Sequence, residues 1–97
     1  MDESPFAAAW SVDGSRLALS GAVDELAQVD LYAELLRGVP GVAVTVDLSE
    51  VQYLPSVAVS TIVRAQQAAA YPLTLAARRG CIAERVLEIS GIPHMQL

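Results

Sequence analysis

The sequence predicts a small α/β fold: a mixed β-sheet opened by an N-terminal hairpin, with about three helices packed on it. Three observations carry that expectation. Two strand-like stretches flank Asp13-Gly14, a β-branched run occupies 42–46, and stretches of helical period alternate with the later strands. With 97 residues, 54% of them hydrophobic, the chain has room for one domain, 1–97, with a core that needs no disulfide.

The elements follow in order. Residues 6–12 and 16–20 read as short strands, and Asp-Gly between them signals a hairpin, both residues tolerating positive φ. Gly21 is expected to break the second strand. From 24 to 37 the period becomes helical: Leu26, Val29, Ala33 and Leu36 form one apolar stripe, Asp24 is the N-cap, and Gly38 and Pro40 end the helix. The run Val42-Ala43-Val44-Thr45-Val46 lacks polar alternation, as in a strand buried on both faces, which implies helices on both sides of the sheet. Asp47 at its end is expected to brace the following loop.

Residues 56–70 admit two readings. Val57, Val59, Thr61 and Val63 alternate like a strand, whereas Val59, Ile62, Val63, Gln66 and Ala70 share a helical face. Gln66-Gln67-Ala68-Ala69-Ala70 favours the helix. A helix also lets strand 73–77 return parallel to 42–46 through a right-handed crossover, so helix is the expectation. A last helix spans 80–90 with Ile82, Val86 and Ile89 inward, Glu84, Arg85 and Glu88 outward, and Gly91 and Pro93 as its stop.

Composition narrows the function classes. The net charge is -5 and all six cations are Arg, so no basic stripe exists for nucleic acid or anionic membranes. The 5% aromatic content argues against a base-stacking platform. Cys81 is the single cysteine, expected as a buried reduced thiol. The start Met-Asp-Glu-Ser-Pro lacks the basic and apolar regions of a secretory signal, so the expected location is cytoplasmic. His94 has no carboxylate or cysteine at a ligand spacing, and there is no Gly-x-Ser-x-Gly elbow or phosphate-cradling loop. No catalytic residue, cofactor or metal is expected.

Two local signatures complete the pattern: Leu17-Ala18-Leu19-Ser20-Gly21-Ala22-Val23-Asp24, and Asp47-Leu48-Ser49-Glu50-Val51-Gln52-Tyr53-Leu54-Pro55-Ser56. With the element order, and with the ending Glu88-Ile89-Ser90-Gly91-Ile92-Pro93-His94, they resemble the STAS domain of bacterial anti-sigma factor antagonists. The resemblance implies binding to an anti-sigma factor that is also a serine kinase, freeing a sigma factor, with phosphorylation at Ser56 dissolving the complex. It also implies a partner surface of Asp24, Leu54, Pro55, Ser56 and Val57, on a monomer or weak dimer without membrane contact. The run Pro55-Ser56-Val57-Ala58 departs from the family's pattern: the serine stays, but the Asp before it and the small polar pair after it are absent. Two other roles stay open: an accessory subunit docking on a transporter ATPase without a phosphorylation cycle, and a small-ligand sensor.

Each residue also has a structural reading. Ser56 suits an N-cap, worth about 1 kcal/mol, and a phosphate on it would sit well at a helix N-terminus. Asp24 serves as a cap or as a partner contact. Leu54, Val57, Val51 and Tyr53 flank the turn as core or as docking surface.

Overall fold

The computed structural model describes residues 4–97, so the first three residues of the expected domain lie outside it. The order is β1 (Ala7–Trp10), β2 (Arg16–Ala22), a 3-10 turn (Glu25–Ala27), α1 (Gln28–Leu35), β3 (Val44–Tyr53), α2 (Ser56–Ala68), β4 (Leu73–Ala77), α3 (Ile82–Ile89) and β5 (Met95–Gln96). The five strands form one sheet in chain order, with the β1–β2 hairpin antiparallel and every later pairing parallel. The expected mixed sheet with its hairpin and three helices is present.

The hairpin turns through Ser11 to Arg16, with Gly14 at φ 77 while Asp13 keeps a negative φ. Asp13 instead accepts from the Ser11 and Ser15 hydroxyls and the Ser15 N–H. These bonds lower its carboxyl pKa to about 2.

Register explains the core. Trp10, Leu17, Val46 and Leu75 stand opposite one another on successive strands, so they share a face. Leu17, Val46 and Leu75 are at most 1% exposed, and Ala27, Leu31 and Leu35, Ala58, Ile62 and Ala65, and Ala83 and Leu87 join their cluster from the three helices. On the opposite face the neighbouring rows are Arg16, Thr45 and Thr74, and Ala18, Asp47 and Ala76. There Arg16, Ala18 and Thr74 are exposed and Arg16 bonds Asp47 at 2.8 Å.

The expectation of a β3 strand buried on both faces is therefore corrected, although Ala76 on the outward row is buried. β3 alternates buried Val44, Val46 and Leu48 with partly exposed Thr45 and Asp47, and its β-branched outward residues mimic a buried run. β3 also continues past Asp47 to Tyr53, so Asp47 lies within the strand, at a register shift, where it accepts the Ser49 N–H at 2.9 Å.

Gly21 does not end β2, which runs on to Ala22. Gly21 has φ +80, and a Cβ there would meet the Pro5 carbonyl oxygen at 2.1 Å. Residues 4 and 5 pass over it, Ser4 accepting the Ala22 N–H at 3.0 Å. The glycine admits a crossing segment and a left-handed residue inside a strand.

The inward faces of two helices differ from expectation. In and before α1 the buried residues are Ala27, Leu31 and Leu35, while Leu26 is 90% and Val29 79% exposed. In α3 they are Ala83, Glu84 and Leu87, with Val86 partly buried and Ile82 and Ile89 exposed. The 3-10 turn precedes α1 and carries buried Ala27, which continues into the Leu31 and Leu35 stripe. α1 ends on Tyr71, whose hydroxyl donates to Leu35 O at 2.7 Å and accepts the Gly38 N–H at 2.8 Å. Cys81 is only partly buried, and its Sγ caps α3 by accepting the Glu84 N–H at 3.4 Å.

Candidate docking site

Two parallel strands deliver their C-terminal ends side by side: β2 leads through Val23 and Asp24 into the turn before α1, and β3 leads through Leu54 and Pro55 into α2. The Val23 N–H donates to Tyr53 O at 3.0 Å and locks the two exits together. Asp24 Oδ1 accepts the Ala27 N–H at 3.1 Å, making it the expected N-cap. The Gln28 amide donates to Asp24 O at 2.7 Å and Val23 O at 3.3 Å, bracing the same corner.

Between the exits lies a groove lined by Asp24, Glu25, Leu26, Tyr53, Pro55 and Val57. A second, separate depression lies between α1 and α2, lined by Gln28, Val29, Tyr32 and Arg64. There the Arg64 guanidinium lies over the Tyr32 ring, 5.3 Å from its centroid. The first depression is acidic at Asp24 and Glu25, and the second carries the Arg64 cation.

The fold thus gathers Asp24, Pro55 and Val57 around one groove, with Ser56 between the last two in sequence but not among the lining residues. Leu54 is not part of that surface. It is 4% exposed and packs in the core with Val51, because the chain leaves β3 at Tyr53 and strand alternation no longer sets its direction. Tyr53 and Val57, 46% and 44% exposed, form the outer side instead.

Ser56 is not the cap of α2 but its first residue. Pro55 holds the cap position, extended at ψ 167, and its carbonyl accepts the N–H groups of Ala58 at 2.9 Å and Val59 at 3.2 Å. Proline lacks only a donor that this position does not use. The Ser56 side chain is exposed at the end of the helix, with no capping bond.

A family model described as "Mlab, STAS domain" matches residues 6–95. The chain belongs to the STAS domain family. A crystal structure of an anti-sigma factor antagonist from Mycobacterium paratuberculosis superposes on this STAS domain with a TM-score of 0.68. The identity is 18%, with 94% of this chain and 84% of that chain covered, so the likeness carries the fold. No curated protein matches the chain.

The two depressions of this STAS domain include residues that sequence reasoning placed elsewhere. Leu26 and Val29 were expected inward, and Glu25 and Arg64 carried no signal. The competing stripe Ala27, Leu31, Leu35 has the same period and leaves both aliphatics outside. The spacing argument against ligands for His94 also fails in space. The reversal through Gly91 and Pro93 returns His94 to α3, where Glu84, Glu88 and His94 form one cluster among the described residues.

Proposed function

We propose that this STAS domain is an anti-sigma factor antagonist. It docks on a kinase-type anti-sigma factor through the groove between Asp24 and Val57 and so releases a sigma factor. One observation carries the reading: the exposed side chains of Leu26, Tyr53 and Val57 line one groove, and exposed Ser56 lies in sequence between its lining residues Pro55 and Val57. Burying them against a partner recovers apolar area at about 25 cal/mol per Å². Asp24 and Glu25 at one rim suit a basic group on that partner.

Ser56 is the switch in this reading. Its exposed hydroxyl at the start of α2 accepts a phosphate, adding roughly -1.5 to -2 charges beside Val57. The helix N-terminus tolerates that charge while the apolar contact does not. Docking is then lost and the fold kept.

A second reading is favoured by the run Pro55-Ser56-Val57-Ala58, in which the acidic and small polar neighbours of the serine are missing. In it the same groove docks on a transporter ATPase with no phosphorylation cycle. Affinity capture followed by mass spectrometry separates the two. Recovery of a sigma-regulatory kinase, lost in Leu26→Glu, supports the first reading, and recovery of a transporter ATPase selects the second. With the partner in hand, a Ser56→Glu chain that binds as tightly as wild type refutes the switch.

A further inference from the structure

Away from the docking groove, Glu84 and Glu88 lie one turn apart on α3, and His94 returns beside them. One ligand atom from each lies within 4.8 Å of the other two. Groups outside the trio aim two of the three. His94 Nδ1 is 2.8 Å from the Ile92 carbonyl oxygen, which only accepts, so in the neutral ring the proton is on Nδ1 and the lone pair on Nε2. This is the outer bond that orients metal-binding imidazoles. Glu84 is 7% exposed, and its two oxygens accept the Gly80 N–H at 2.7 Å and the Gln96 amide at 2.6 Å. Each oxygen keeps a further lone pair. Among the described residues, Glu84, Glu88 and His94 take part in no ion pair. Two carboxylates four residues apart on a helix repel each other, and a cation between them relieves that repulsion.

We propose that Glu84, Glu88 and His94 bind a divalent transition-metal cation of the Zn²⁺ class. One imidazole nitrogen with two carboxylate oxygens suits such an ion better than Mg²⁺ or Ca²⁺, which prefer oxygen throughout. The ligand atoms must close to about 3.3 Å apart around a tetrahedral ion. Glu88 is exposed and free to swing in. The bound ion clasps the segment that carries β5 onto α3.

The test is titration of the untagged full chain with ZnCl2 by calorimetry, repeated with MgCl2. One Zn²⁺ site is expected, weakened at least roughly tenfold in His94→Ala and in Glu88→Gln. Circular dichroism checks that both variants fold; neither residue is in the core. Cys81→Ser should bind as wild type does, because the thiol caps α3 outside the trio. The proposal is overturned by a dissociation constant above about 1 mM, by unchanged affinity in His94→Ala and Glu88→Gln, by loss in Cys81→Ser, or by equal binding of Mg²⁺.

Discussion

Tyr71→Phe isolates one oxygen atom. The ring stays, and with it the packing of a residue that is 7% exposed. The hydroxyl is lost from between Leu35 O, 2.7 Å away, and the Gly38 N–H, 2.8 Å away. Each bond contributes about 0.5–1.5 kcal/mol net, and a buried carbonyl left without a partner costs more than its bond supplied. The expected loss is about 2 kcal/mol, or about 10 °C in Tm for a domain of this size. Urea denaturation should show a lower midpoint at unchanged m-value, and hydrogen exchange should show Gly38 losing protection ahead of the sheet. A loss below about 0.5 kcal/mol would refute the assignment of the end of α1 to this hydroxyl. Water or a relaxed loop would then satisfy both groups.

Three further outcomes are expected. Leu26→Ser and Val29→Ser should change stability by less than about 0.5 kcal/mol, while Leu54→Ala should cost about 2–5 kcal/mol, all read from urea midpoints. Gly21→Ala should cost about 2–3 kcal/mol through its positive φ and the Pro5 clash, with a smaller penalty in a chain beginning at Phe6. Acid unfolding should report Asp13 and Asp47. The Asp13 pKa is lowered from 3.8 to about 2 by the Ser15 N–H and the two serine hydroxyls. Burial works to raise that of Asp47, but Ser49 and Arg16 together hold it below 3.8. Both contributions are complete above pH 3.8 and vanish as pH falls through the lowered values, so Asp13→Asn should flatten the decline between about pH 4 and pH 2.

Local signals were legible in the sequence. The Asp13-Gly14 turn, the order of strands and helices, the Asp24 cap and the strand-to-helix exit at Tyr53–Ser56 all rest on neighbours within a few residues. What was not legible depended on distant partners. Gly21 looks like a breaker until Pro5 crosses it from sixteen positions earlier. β5 has two residues and no pattern, and exists because Ala76 and Ala77 offer an edge. The inward faces of α1 and α3 are not legible because two stripes of similar period compete, and Leu31, Leu35 and Leu87 win over Leu26, Val29 and Ile89 through packing with distant strands. Ser56 looked like a cap because serine favours that position, but the proline before it already occupied it.

The row of aliphatics left outside the core has a consequence for how such a domain changes over time. Ala27, Ala58 and Ala65 belong to the packed cluster, whereas Leu26, Val29 and Val57 do not. Substitutions on the outer row are expected to change the folding free energy by less than about 0.5 kcal/mol. On the proposed docking reading, partner preference can therefore change through a handful of side chains while the packed cluster is kept.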